Sequence, residues 1–307
     1  PNNNTNADLI FTQPLALGSV QTASGPGTVR TLTTNGTGAL VVFSGGISDG
    51  PYGSNTLIKA GSGPLALTGN NTFTGVLQLN TGTVLINNDT TIPSGAQVIF
   101  NGGALGFWNP MGPLPTMSQT GVASFTTNRN YQLTSGGTFD IGAGLTLTQS
   151  ASSVISGGGL LTKSGWGTMV LNGINTALQT RVDGGVLSVG GNTQLGDTVS
   201  SSTLILNGSA TSPSTLLVTN SFAMNRAINS VSSSSGNIEV VAGSALTVGG
   251  NINLGTGLFT KAGQGTLMLT GVNSQTTWTV AGGGMLATNL ATAFPAAATI
   301  TISGGTL

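Results

Sequence analysis

The sequence predicts an all-β protein: an elongated parallel β-solenoid, or β-helix, built from three imperfect repeats of roughly one hundred residues and running as one continuous body over residues 1–307. Three observations predict it. Apolar residues alternate with hydroxyl and amide residues at a period of two, and no stretch carries a helical period. Glycine supplies 50 of the 307 residues and punctuates the chain without a G-X-Y rhythm, which excludes a collagen helix and assigns the glycines to turns. One motif also returns three times, at residues 59–71, 163–175 and 261–273.

The first copy begins at Lys59 and reads KAGSGPLALTGNN, the second begins at Lys163 and reads KSGWGTMVLNGIN, and the third begins at Lys261 and reads KAGQGTLMLTGVN. Within each, Lys, Gly and Gly fall on alternate positions, followed by an apolar pair: Leu65 and Leu67, Met169 and Leu171, Leu267 and Leu269. Alternation places each pair on one face of a strand and the residues between on the other, so one face is buried and one is wet. A further strand follows Gly82, Gly185 and Gly284, which stand at nearly the same interval after the matching lysines and precede TVLI, VLSV and MLA.

Beyond these strands lies a second landmark. SFTTNRNY from Ser124 pairs with SFAMNRAI from Ser221, and each leads through GTFDIGAGLTL or NIEVVAGSALTV to the next lysine motif. The unit is therefore about one hundred residues long, with several strands of four to six residues inside it. Such a unit cannot bury its own apolar face and needs neighbours above and below. A propeller repeats at about 40–50 residues per blade, so three long units of drifting length fit a solenoid.

LLTKSGWGTMVLNGIN and LFTKAGQGTLMLTGVN closely resemble the autotransporter-associated β-strand repeat of secreted passenger regions in Gram-negative bacteria. The resemblance is clear from Leu57 to Leu307 and fainter from Pro1 to Gly50. It implies a right-handed β-helix, extracellular or on a bacterial cell surface, serving as an adhesin or a structural stalk. No membrane-barrel segment is recognisable in this sequence, and no charged leader or apolar signal region opens it.

Composition closes many functional classes. Seven basic and seven acidic side chains cancel, and only 5% of residues are charged, against about a quarter in an ordinary domain. Without a basic stripe, neither nucleic acid nor an anionic membrane surface is an expected partner. The apolar runs fall well short of the ~18 residues a membrane helix needs, so no membrane insertion is expected. Cysteine and histidine are absent, which removes disulfides, thiolate and imidazole metal sites and histidine acid–base catalysis. No cofactor is expected. Near-zero net charge removes mutual repulsion and favours association between copies.

The residues that could carry chemistry each have a structural reading beside the functional one. Lys59, Lys163 and Lys261 would form a binding stripe only if their coils aligned them, and Asn71, Asn175 and Asn273 fit turn backbones better than sugar sites. Arg181 and Asp183 share a strand face as a solvated ion pair. The remaining acids are scattered, and GGNTQLGDT at Gly190 lacks a repeated calcium pattern. Trp108, Trp166 and Trp278 sit at different phases of the repeat and make no aligned sugar platform. No catalytic residue and no metal ligand is assigned, and the chain reads as a non-enzyme.

The strand edges are the remaining candidate. ATITISGGTL matches QVIFNGGALGF of the first unit, and LIFTQPLALG offers Phe11 in the role of Phe125 and Phe222. The interval from Lys59 to Phe125 is close to that from Lys163 to Phe222, and running Leu307 on to a second copy's Pro1 places that copy's Phe11 at a similar interval from Lys261. This phase predicts head-to-tail contact through Leu9, Ile10 and Phe11 of one copy and Ile300, Ile302 and Leu307 of another. The leading expectation is an extracellular structural protein, a filament subunit or rod-like stalk whose partners are copies of itself. The alternatives are an adhesin segment that binds carbohydrate or surface matrix and, last, a polysaccharide-degrading β-helix enzyme.

Overall fold

The computed structural model describes residues 9–18, 28–36, 40–51, 53–107, 123–198, 202–209, 214–231 and 233–307. Apart from two short 3₁₀ turns, Asp89–Thr91 and Asn192–Leu195, every named element is a strand. All strand pairs are parallel, and each strand pairs with the strand one circuit earlier or later. The result is a parallel β-solenoid of about eleven coils, roughly 50 Å long at ~4.8 Å per coil.

The chain winds past three faces. The 15-stranded sheet supplies two of them. Val29–Thr33, Thr56–Ala60, Val76–Leu79 and the start of Gln97–Phe107 stack on the first. Leu9–Phe11, Val41–Phe43, Leu65–Leu67, Thr83–Ile86 and the end of Gln97–Phe107 stack on the second. Strands Gln97–Phe107 and Tyr131–Ile141 run through the corner between these faces, and their register shifts around Asn101. Gly102 and Gly136 turn that corner at φ 104° and 119°, where a β-carbon would be strained.

The third face is the 9-stranded sheet from Ala123–Thr127 to Thr299–Ser303. The first face is later resumed by the 4-stranded sheet of Phe222–Met224, Ala245–Val248, Thr266–Leu269 and Met285–Thr288. These strands take the place in the circuit that Ile155–Ser156 holds on an earlier coil.

The repeats are out of step with the coils. Lys59 lies in Thr56–Ala60 on the first face, Lys163 in Leu160–Ser164 on the second and Lys261 in Phe259–Ala262 on the third. From Lys59 the chain makes four circuits and one further face to reach Lys163, and the same again to reach Lys261. Each repeat is therefore rotated by one face relative to the last.

Inward residues form one nearly continuous core. The three apolar pairs of the motif are almost wholly buried, each such side chain contributing about 1.5–3 kcal/mol over its exposed state. Aromatic rings fill the wide parts: Phe100, Tyr131 and Phe139 cluster with ring centroids 5.0 to 6.0 Å apart, and Trp278 packs between Phe259 and Phe294.

Candidate functional site

The motif lysines point inward and are fully buried. They form no surface stripe, both because they are interior and because the rotation puts them on three different faces. Lys59 Nζ donates to the carbonyls of Ala60, Gly61 and Thr81 at 2.8, 2.7 and 3.1 Å. Lys163 Nζ donates to those of Ser164, Gly165 and Gly184 at 2.6, 2.7 and 3.0 Å. Lys261 Nζ repeats the first two bonds, to Ala262 and Gly263, both at 2.8 Å. The ammonium of Lys59 and of Lys163 thus ties a strand-ending turn to the next coil, and each of the three satisfies carbonyls that the turn would otherwise bury unpaired.

Burial lowers the pKa of all three lysines, and it pushes Lys163 down to about 7 against the opposing pull of the Asp140 carboxylate. The glycines that follow the first and third motifs fit this arrangement. A β-carbon on Gly82 would stand 2.8 Å from Lys59 Nζ, and one on Gly284 2.3 Å from Lys261 Nζ.

The motif asparagines are interior caps. Asn71, Asn175 and Asn273 accept through Oδ1 from the amides of Ile47, Ile155 and Ile252, and donate through Nδ2 to the carbonyls of Thr91, Gln194 and Ala293. Each thereby links three successive coils.

The shared Asn-Arg landmark has an equivalent role at the corners. Arg129 Nη1 donates to the carbonyls of Pro93 and Ala96 at 2.9 and 2.7 Å, and Nη2 to those of Ile92 and Asp89 at 2.7 and 3.4 Å. Arg226 Nη1 reaches Leu195 O and Ser202 Oγ, Nη2 reaches the Asn192 and Asp197 carbonyls, and Nε donates to Asn192 Oδ1 at 2.9 Å. A planar guanidinium can span several carbonyls at once, which an ammonium cannot.

A surface pocket of about 210 Å³ opens beside the first corner, lined by Asp89, Ser94, Asn128 and Arg129. Arg129 Nε is buried without a hydrogen bond and lies 3.5 Å from Asp89 Oδ1, which also accepts from Thr127 Oγ1 at 3.0 Å. The carboxylate is thus drawn toward the corner it helps hold. The sequence marks the Asn-Arg pair as a landmark but does not disclose this role; the available signal is an arginine following the same asparagine in two units.

Arg181 and Asp183 pair with each other, each side chain 28% exposed, and Asp183 also accepts from Asn207. No group of three acidic side chains able to hold a metal occurs among the described residues. Trp278 is buried and donates to the Gln275 carbonyl, Trp166 is 58% exposed, and Trp108 lies outside the described residues.

Leu9, Ile10 and Phe11 are exposed on the strand paired with Val41–Phe43, and the Phe11 ring stacks on Phe43 at 4.6 Å. Ile302 and Leu307 are exposed and Ile300 is half-buried. Among the described residues, Leu9–Phe11 is the terminal strand of the 15-stranded sheet and Thr299–Ser303 that of the 9-stranded sheet, so the structure places the two groups far apart along the solenoid.

The model of the passenger-associated-transport-repeat matches three times, at residues 57–86, 161–189 and 259–287. The adhesin BmaC autotransporter of Brucella suis biovar 1 (strain 1330) is 32% identical over 284 aligned residues, which take in 84% of this chain. The chain spans about 8% of that protein's length. No solved structure matches the chain significantly.

Proposed function

Because this chain carries three passenger-associated-transport repeats, we propose that it serves as a segment of a bacterial adhesin outside the cell, holding its outer faces rigid for contact with a host or matrix surface. The observation that carries the reading is the 32% identity to an autotransporter adhesin along 84% of this chain. The geometry agrees with it. The motif lysines and the Asn-Arg arginines are spent on main-chain carbonyls inside the solenoid, so the outer faces are nearly uncharged and hydroxyl-rich. Thr146, Thr168, Thr215, Thr260, Thr279 and Thr301 lie on one register file of the third face. Such a surface suits many weak polar contacts better than catalysis.

The test is adhesion of beads coated with the purified chain to immobilised matrix proteins and to cultured host cells. Adhesion above that of beads coated with an unrelated β-solenoid supports the reading. Equal adhesion would reduce the segment to a spacer.

A further inference from the structure

The two corners that arginines fill are equivalent. Asn71 donates to Thr91 O and Asn175 to Gln194 O, so Asp89 corresponds to Asn192 and Ser94 to Asp197. Arg129 bonds the Asp89 and Ile92 carbonyls as Arg226 bonds those of Asn192 and Leu195. The corners differ in what meets the guanidinium Nε. At the second, Nε donates to Asn192 Oδ1 at 2.9 Å. At the first, Asp89 Oδ1 stands off at 3.5 Å and Nε makes no hydrogen bond, although the arginine side chain is only 7% exposed. An amide therefore completes such a corner better than a carboxylate does. Closing the corner does not require Asp89.

The pocket beside the first corner gives this carboxylate another use. It measures about 210 Å³ and is lined by Asp89, Ser94, Asn128 and Arg129. Asp89 Oδ1 is held by the Thr127 hydroxyl at 3.0 Å and the Tyr131 hydroxyl at 3.4 Å, which fixes the carboxylate in place. Its Oδ2 accepts no hydrogen bond among the described residues. The Ser94 hydroxyl and the Asn128 side-chain amide are likewise without partners among the described residues, and both residues are exposed. Three unspent groups thus share one opening: a carboxylate oxygen that accepts, and a hydroxyl and a primary amide that each donate and accept.

Charge selects the ligand. The Nη atoms of Arg129 are committed to four carbonyls and its Nε is buried, so an anion finds no free cationic donor. The same guanidinium offsets the Asp89 charge, and no second carboxylate lines the pocket to share a cation. A neutral ligand rich in hydroxyls fits what remains, since one hydroxyl can donate to the carboxylate while its neighbour accepts from the amide. The volume lies below the ~300–1,000 Å³ of sites for drug-sized molecules, which leaves room for one small ring. The geometry points to a binding site for a single neutral sugar ring, with Asp89 Oδ2 as its main acceptor and Ser94 and Asn128 as its further partners. This goes beyond the adhesive reading, because a free sugar binds the pocket whether or not the segment adheres to a surface.

The test uses the whole chain and the methyl glycosides of glucose, galactose, mannose and N-acetylglucosamine, read by saturation-transfer NMR and by the shifts of the Asn128 side-chain amide. Saturable binding of at least one glycoside is expected, with a Kd of millimolar order. Asp89→Asn installs the residue that the second corner already carries; it should melt no lower than the parent and bind about tenfold or more weakly. Ser94→Ala, at an exposed residue without a hydrogen bond, should melt as the parent does and bind several-fold more weakly. Binding of no glycoside, or equal binding by the parent and both variants, overturns the inference. Calcium or inorganic phosphate saturating the Asn128 shift where no glycoside does would give the pocket to an ion and overturn it likewise.

Discussion

Lys163 Nζ donates to the Gly184 carbonyl at 3.0 Å, so a buried ammonium on one coil holds the turn of the next. The same bond joins Lys59 to Thr81. It explains why the repeat keeps a lysine and, on the following coil, a glycine: the first supplies the donors and the second leaves room for them.

Replacing Lys163 with Met keeps the apolar stem and leaves three buried carbonyls unpaired. The expected cost is about 3 kcal/mol, each unsatisfied acceptor costing about 1–3 kcal/mol with partial relief from relaxation. Urea unfolding followed by tryptophan fluorescence checks it, and hydrogen exchange should show the loss concentrated on the coils of residues 160–189. A neutral effect would mean that water replaces the ammonium.

The glycine half of the device has its own variant. Gly284→Ala puts a β-carbon 2.3 Å from Lys261 Nζ and 2.1 Å from the Gly263 carbonyl, and should cost about 1–3 kcal/mol. Gly158→Ala, with nothing within 4 Å of its β-carbon, is the control and should be nearly neutral. In a double-mutant cycle with Lys261→Met, the Gly284→Ala cost should shrink, because the clash with the ammonium is gone while that with the carbonyl remains.

The pH dependence follows from the depressed Lys163 pKa. In the unfolded chain the amine titrates near 10.5, and in the folded chain near 7. Between these values the unfolded state binds more protons, so stability rises with pH from about 7 toward 10 and is flat in this group's contribution below that window. The difference in melting temperature between the parent and Lys163→Met should change across this window. Asp140→Asn removes the one charge that raises the pKa and should move the lower edge of the window to lower pH, as a ¹³Cε titration of Lys163 would show.

The strands, the period and the unit length were legible because they rest on the alternation of apolar and hydroxyl residues around Leu65, Leu67, Met169, Leu171, Leu267 and Leu269. The direction of the lysines was not. A charged side chain is ordinarily read as solvent-facing, and only the cage of carbonyls makes its burial tolerable. Nor could the intervals between Lys59, Lys163 and Lys261 reveal the rotation, since coil length varies with each turn and the faces are counted only once pairing is known. The corner arginines left a trace, the Asn-Arg shared by two units, but the carbonyls they hold belong to turns around Ile92 and Leu195, far back in the chain, and carry no side-chain signature.

That separation makes the arginines a sensitive point of the fold. Arg129→Gln removes a guanidinium that bonds four carbonyls between Asp89 and Ala96, and its side chain is only 7% exposed. The expected loss is about 3–5 kcal/mol, the range for stripping one partner from a buried charged network. Arg129→Lys should recover only part of it, because one ammonium cannot reach carbonyls on both sides of the turn. Amide exchange at Thr91, Ile92 and Ala96 should quicken in both variants before the distant coils respond, since in a solenoid each coil depends on its immediate neighbours. If exchange quickened evenly along the chain instead, the arginine would be stabilising the solenoid as a whole rather than pinning one corner.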